Sequence, residues 1–319
     1  MNLSAPNNRP LTRNVHFAKQ RIRHARVTDA TPGGNIDSEL TNAATRASAG
    51  TDMLDFYSDT KTKPTRAMRE SVLECEVGDE QKGEDPTTSV LCERVAELLG
   101  KEAALFLPSG TMCNEIAINV HTSPGDEVIC DRSSHVLNFE TGGPAALSGV
   151  SLLPLPGQRG MFDVDQVADA IRASSRYAPN STLLCVEQTT NMGGGAVWPL
   201  EQLKDVSECA RAAGLATHMD GARLMNAVVK TGVSARRYAE SFDSVFIDFS
   251  KGLGAPVGGA LAGSAGFIAD AWRTKQRMGG ALRQSGVLTA MCLYALDHHV
   301  SRLEDDHNVA SYLGEELAK

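Results

Sequence analysis

From about Leu54 onward, short apolar runs alternate with amphipathic helical stretches, and this alternation over roughly 200 residues restricts the fold more than any other feature. Ala103–Leu107 (AALFL), Glu127–Cys130 (EVIC), Thr182–Val186 (TLLCV), Leu215–Met219 (LATHM) and Ser244–Asp248 (SVFID) read as buried strands. Leu200–Ala213 and Asp165–Arg172 read as helices between them. Strands alternating with helices predict an α/β fold whose mostly parallel central sheet is covered by helices on both faces. The chain after Gly286 reads as helical, and no internal repeat is evident.

Residues 1–50 differ: they are rich in Asn, Thr, Ala and Arg, show no hydrophobic periodicity, and carry no acidic residue before Asp29. A disordered tail is the preferred reading. An organelle transit peptide is the alternative, because Arg9, Arg13, Lys19, Arg21, Arg23 and Arg26 fall in an acid-free stretch. The expected organisation is a tail over 1–50, a large α/β domain over 51–286, and a helical segment over 287–319. A chain of 319 residues with 42% hydrophobic residues is globular, and no apolar run approaches the roughly 18 residues of a membrane span. The formal net charge of −8 argues against a general nucleic-acid binder. The seven cysteines are scattered without a C-x-x-C pair, which reads as free thiols in a reducing, cytoplasmic setting.

Ligands of doubly wound sheets bind beyond the carboxyl ends of the strands. Reading past each predicted strand gives Ser109-Gly110-Thr111, His135, Glu187, Asp220 with Arg223, and Ser250 with Lys251. Ser109-Gly110-Thr111 opens a helix, whose free N–H groups and positive dipole end form a natural phosphate seat. A ligand-free N-cap is the plain alternative. Lys251 sits between an apolar strand and the Gly-rich Gly252-Leu253-Gly254, where partial desolvation favours the neutral amine that a Schiff base needs. Asp220, an N-cap on the plain reading, is placed as a buried carboxylate that keeps a pyridine nitrogen protonated. The ordered set of phosphate seat, aspartate and lysine points to pyridoxal 5'-phosphate. No metal is needed to explain it, and G-x-G-x-x-G is absent.

Seven stretches in this order resemble the low-specificity L-threonine aldolases, pyridoxal-phosphate enzymes of the aspartate aminotransferase fold type I. They are Ser58–Thr65, Gly83-Glu-Asp-Pro-Thr87, Leu107–Thr111, His135 within SSHVLNFE, His218–Asn226, Phe249–Pro256 and Met278–Gly286. The resemblance covers about residues 54–319. It implies cleavage of L-threonine or L-allo-threonine to glycine and an aldehyde. It makes Lys251 the Schiff-base lysine, Asp220 the partner of the pyridine nitrogen, and His135 the residue stacked on the ring. Ser109, Gly110, Thr111 and Ser250 surround the cofactor, with Arg283 helping from a neighbouring subunit. Ser58 and Arg223 bind the substrate carboxylate. A homodimer or homotetramer is implied, with Gly83–Thr87 and Arg283 contributed in trans.

Three positions depart from the family pattern. Thr190, in Glu187-Gln-Thr-Thr-Asn191, stands where the family commonly has a histidine near the substrate hydroxyl. Hydroxyl activation then falls to water, His135 or the cofactor phosphate. Lys82 replaces an aromatic residue before Gly83-Glu-Asp-Pro-Thr87, which is expected to alter the rim of the site. Family members also continue into a small C-terminal domain, which is expected to be largely missing here. An amino-acid racemase, a β-eliminating lyase on the same scaffold, and a catalytically impaired homologue are the competing readings.

Overall fold

The computed structural model describes residues 55–319, which form one compact unit. The tail expected over 1–50, with its transit-peptide alternative, lies outside the described residues. Among these, no helix is long and apolar enough to cross a membrane.

Seven strands build one sheet: β1 (Ala103–Leu107), β2 (Glu127–Asp131), β3 (Ser151–Leu155), β4 (Ser181–Glu187), β5 (Ala216–Gly221), β6 (Ser244–Asp248) and β7 (Gly259–Gly263). Their spatial order is β1-β7-β6-β5-β4-β2-β3, and β7 alone runs against the rest. The five expected strands are all present. β3 escaped the sequence reading because it is an edge strand, largely uncovered and interrupted by Pro154. β7 (GALAG) has almost no side chain to signal a strand. Its glycines are required by contact: a Cβ on Gly259 would meet Cys113 Sγ at 2.8 Å, and one on Gly258 would meet Phe106 Cε2 at 2.7 Å.

The antiparallel run of β7 has a simple cause. The chain leaves β6 and returns beside it through residues 249–258, with no crossover helix, and only an antiparallel neighbour can be reached that way. That return loop carries Lys251 to the carboxyl end of the parallel strands.

Among the described residues, eight helices of about two turns or more surround the sheet: α1 (Pro86–Leu99), α2 (Gly110–His121), α3 (Val164–Ala170), α4 (Leu200–Ala212), α5 (Leu224–Thr231), α6 (Ala265–Arg277), α7 (Gly286–His298) and α8 (Leu303–Leu317), the last resting on α5 with only Leu303 buried. Successive strand residues point to opposite faces, and both faces are apolar. Phe106, Val245 and Ile247 pack with Leu91 and Val95 of α1 on one side. Leu105, Leu107 and Phe246 pack with Ile116 of α2 and Phe267 and Ala271 of α6 on the other. Burying each such side chain is worth about 1.5–3 kcal/mol. On the α6 face one charge is fully buried. Lys275 bonds to Glu80 and donates to the Phe106 carbonyl at 2.8 Å, and burial pushes its ammonium below the usual lysine range.

Asp85 ties three separate segments together. It caps α1 by accepting from Thr88 N at 2.9 Å, with Pro86 at the first helical position, where its missing N–H costs nothing. Its Oδ2 also accepts from Gly78 N and from Gly286 N at the start of α7, both at 3.0 Å. Burial raises the Asp85 carboxyl, but these backbone donors outweigh it and hold it below the ordinary value of 3.8. A carboxylate so depressed stabilises the fold fully above that ordinary value, and the contribution disappears as pH falls through the lower, folded one. Asp85→Asn is therefore expected to lose about 1.5–3 kcal/mol at pH 7, the worth of a hydrogen bond to a charged group. The deficit should narrow towards pH 3. Urea denaturation at both pH values measures it, and an unchanged midpoint at pH 7 would rule it out.

Candidate active site

β4, β5 and β6 are adjacent and parallel, and they carry Glu187, Asp220 and Asp248 at or one residue before their carboxyl ends. Glu187 and Asp220 are register partners, so their carboxylates leave the sheet side by side. Beyond these ends lies a cavity of about 180 Å³. Its walls include Ser109, Gly110 and Thr111 at the N-terminus of α2, with His135, Asp220, Arg223, Ser250 and Lys251. With Glu187, which also lines it, the structure thus brings together nine of the eleven site residues singled out from sequence.

Each is held by something specific. Ser109 caps α2, its hydroxyl accepting from Met112 N at 3.2 Å. Gly110 must lack a side chain, because a Cβ there would meet Asp248 Oδ2 at 2.4 Å. Lys251 Nζ donates to that same Oδ2 at 2.6 Å, while Ser250 donates to Oδ1 through its N–H at 2.7 Å and its hydroxyl at 2.6 Å. Arg223 is gripped in a two-pronged ion pair with Asp59, Nε at 2.7 Å and Nη2 at 2.6 Å. Burial works against that guanidinium's charge, and the Asp59 carboxylate more than restores it.

His135 opens a one-turn helix, with its N–H donating to Glu187 Oε2 at 3.1 Å and its Nδ1 2.8 Å from Glu140 Oε1. Burial lowers the imidazole's pKa, yet the bond to Glu140 and the Asp220 charge leave it raised above 6.5. Burial and the neighbouring Asp220 push Glu187 up to about 7. Asp220 is buried and its carboxyl is raised by desolvation, against which Asn114 donates to Oδ2 at 2.8 Å and Ala222 N to Oδ1 at 3.0 Å. Burial and the neighbouring Glu140 push Glu115 up to about 9. Both Glu115 oxygens and Glu140 Oε2 are buried without a hydrogen-bond partner, a setting that favours a protonated Glu115. His135, Glu140 and Asp220 offer ligand atoms within 4.8 Å of one another, a grouping that metal sites also use. Here hydrogen bonds to Asn114 and between His135 and Glu140 join them.

Two expected residues are placed elsewhere within the chain. Ser58 does not line the cavity; its hydroxyl accepts from Thr60 N at 3.2 Å, and its neighbour Asp59 is what reaches Arg223. Arg283 is largely exposed and pairs with Asp79 at 3.1 Å. Lys82 and Gly83 line a separate apolar cavity beside Trp272 and Phe106, so Lys82 does not rim the site of its own chain. Thr190 is buried, and its hydroxyl donates to the Arg159 carbonyl at 2.9 Å, also outside the cavity.

Sequence reading missed Asn114, Glu115, Glu140, Asp248 and Asp59. Asp248 obeys the strand-end rule that found Asp220. Asn114 and Glu115 interrupt the apolar run of α2 at buried positions, which is a visible sign of an internal polar network. Glu140 and Asp59 lie inside the family-like stretches SSHVLNFE and Ser58–Thr65, but nothing local marks their distant partners Asn114 and Arg223.

Residues 55–319 match the beta-eliminating lyase family. The low specificity L-threonine aldolase of Escherichia coli strain K12 is 42% identical over 266 residues, covering 83% of this chain and 79% of that protein. The Saccharomyces cerevisiae protein of the same name is 37% identical over 271 residues, covering 82% and 68%. The threonine aldolase structure from Leishmania major superposes with a TM-score of 0.74 at 21% identity, over 82% of this chain and 78% of that one, which is a likeness of fold. The strand-end carboxylates, the lysine loop and these likenesses agree, and the chain belongs to the beta-eliminating lyase family, among the low-specificity L-threonine aldolases.

Proposed function

We propose that the protein cleaves L-threonine and L-allo-threonine between Cα and Cβ, giving glycine and acetaldehyde, with pyridoxal phosphate as its cofactor. The observation that carries this reading is the set of donors around one cavity. An amine (Lys251), a buried carboxylate (Asp220) and a helix N-terminus flanked by hydroxyls (Ser109, Thr111) share its walls. Those groups suit an aldehyde, a pyridine nitrogen and a phosphate respectively, so the residues fit the cofactor. The crowding of Glu187, Asp220 and Glu140 also favours a cationic ring nitrogen, since buried like charges are costly without an opposite one.

Bound there, pyridoxal phosphate supplies an electron sink for the pair released at Cα. The chain supplies the rest. Lys251 provides the covalent tether, and Asp248 holds its amine until it is needed. Asp220 keeps the ring nitrogen charged, and its own charge is preserved by Asn114 and Ala222 N. Arg223 receives the substrate carboxylate on a guanidinium already oriented by Asp59, which sets the Cα–Cβ bond relative to the ring. In its neutral form His135 keeps its hydrogen on Nδ1 for Glu140, which leaves a bare Nε2 to take the β-hydroxyl proton.

The chain is further proposed to act as a homodimer or homotetramer in which Arg283 reaches the phosphate of a neighbouring subunit. Its exposure and its distance from its own cavity support that reading. Arg283→Ala should then weaken cofactor binding roughly tenfold, as loss of one charge-assisted hydrogen bond would. Light scattering on the wild type must show a multimer; a monomer with full cofactor affinity would refute the shared site.

Activity is tested by supplying purified holoprotein with L-threonine and assaying glycine and acetaldehyde. L-Alanine and β-substituted alanines in the same panel report racemisation or elimination instead. Borohydride should fix the cofactor on Lys251 of the wild type, and Lys251→Ala should lower kcat by about 10³-fold or more and leave the protein without a fixed adduct. An adduct mapped to another lysine in either protein would overturn the assignment. Asp59→Asn frees the Arg223 fork and is expected to raise KM for L-threonine about tenfold with a smaller change in kcat. Steady-state kinetics decides between that result and an unchanged KM, which would place the substrate carboxylate elsewhere.

A further inference from the structure

Asn114 sits in the first turns of α2, 1% exposed, with hydrogen-bonding partners on both ends of its amide. Its Nδ2 lies 2.8 Å from Asp220 Oδ2 and 2.8 Å from Glu140 Oε1. Its Oδ1 lies 3.1 Å from His218 Nε2. Beyond it, His218 Nδ1 is 2.8 Å from Ser244 Oγ, and Ser244 Oγ is 2.8 Å from His121 Nε2.

Simple proton counting gives this line one direction. Asp220 and Glu140 accept, so Asn114 turns its NH₂ to both and its Oδ1 towards His218. His218 must therefore carry its hydrogen on Nε2. Burial pushes its pKa down to about 3, so the ring is neutral and Nδ1 is bare. A bare Nδ1 takes the Ser244 hydroxyl proton. Ser244 Oγ, its one hydrogen spent, accepts from His121 Nε2–H. Burial also lowers His121 to about 4, and its ring is stacked on Phe267 with centroids 4.6 Å apart. No member of the line can turn over without leaving two donors or two acceptors face to face, at a cost of about 1–3 kcal/mol for each group left unpaired.

We propose that Asn114 is a positioning residue for the reaction: locked by the His218–Ser244–His121 line, its amide fixes Asp220 and the His135–Glu140 pair relative to each other. This rests on the reading of the cavity as a cofactor site. The two carboxylates stand beside a single amide, so one side chain sets both the group that would hold the ring nitrogen and the group that orients the imidazole. A free-standing Asp220 would be more readily protonated, since burial already raises it and Asn114 opposes the rise.

The first test uses no turnover. In ¹⁵N-histidine-labelled wild-type protein at pH 7, His218 and His121 should both appear as neutral Nε2–H tautomers. A neutral Nδ1–H tautomer or a charged ring at His218 overturns the proposal. The second test uses holoenzyme variants. Asn114→Ala and His218→Leu should each weaken pyridoxal phosphate binding and lower kcat by roughly 10- to 100-fold, the range for groups that orient a ligand from behind. KM for L-threonine should change little. His218→Gln, which keeps a donor towards Asn114 Oδ1, should recover most of the loss relative to His218→Leu. If Gln and Leu behave alike, or if both losses stay within twofold, the amide is not held for this purpose. A wild type that binds no pyridoxal phosphate would instead refute the cofactor reading while leaving the tautomer result standing.

Discussion

Acidic side chains that must coexist out of water govern this molecule. Three neighbouring parallel strands deliver Glu187, Asp220 and Asp248 to one place, and Glu140 and Glu115 crowd in from α2 and the loop after His135. Bare carboxylates in such a setting would cost several kcal/mol each. Every other feature of the site answers that cost. Lys251 pairs with Asp248 and Arg223 with Asp59, each across 2.6 Å. Glu187, Asp220 and Asp248 each accept from a backbone N–H, at Asn191, Ala222 and Ser250 respectively.

Close packing of these groups is possible only where the backbone lacks side chains. A Cβ on Gly143 would meet Glu115 Oε1 at 2.0 Å, and one on Gly110 would strike Asp248. Gly110 therefore has two duties that do not conflict. It opens the helix whose N–H groups face the cavity, and it admits the carboxylate that holds Lys251. The antiparallel return through β7 belongs to the same design, because it lets Lys251 come back over the strand ends rather than leave on a crossover helix.

The sheet was legible in the sequence because its central strands are buried on both faces and read as unbroken apolar runs. β3 and β7 were not, one being a Pro-bearing edge and the other a strand of glycine and alanine that exists only because neighbours pack against it. The cavity was legible for a different reason: strand ends are sequence-local, so Asp220, Lys251 and the Ser109–Thr111 turn could be read as adjacent without knowing the fold. Groups brought in from afar had no such signal. Asp59 reaches Arg223 across a sequence separation of 164, and Glu140 meets Asn114 only after a loop closes between them. Long-range pairs of this kind are products of tertiary packing, which periodicity does not encode.

The threonine at position 190 is where residue comparison and geometry pull apart. A histidine at that place in related sequences suggests a proton carrier, and its replacement suggests an altered reaction. Yet the Thr190 side chain is turned inward, with its hydroxyl on the Arg159 carbonyl and its methyl end close to Gly160. Arg159 itself sits at φ 54°, a left-handed conformation that costs a branched-free residue about 1 kcal/mol or more and so needs outside support. The Thr190 bond supplies some of it, alongside the Arg159 side chain on the Gly193 carbonyl at 3.1 Å. In this chain position 190 shapes a loop, while the imidazole that lines the cavity is His135, with Nδ1 bonded to Glu140. The proposed aldolase reading therefore depends less on what occupies position 190 than on Glu140, which holds that imidazole in place.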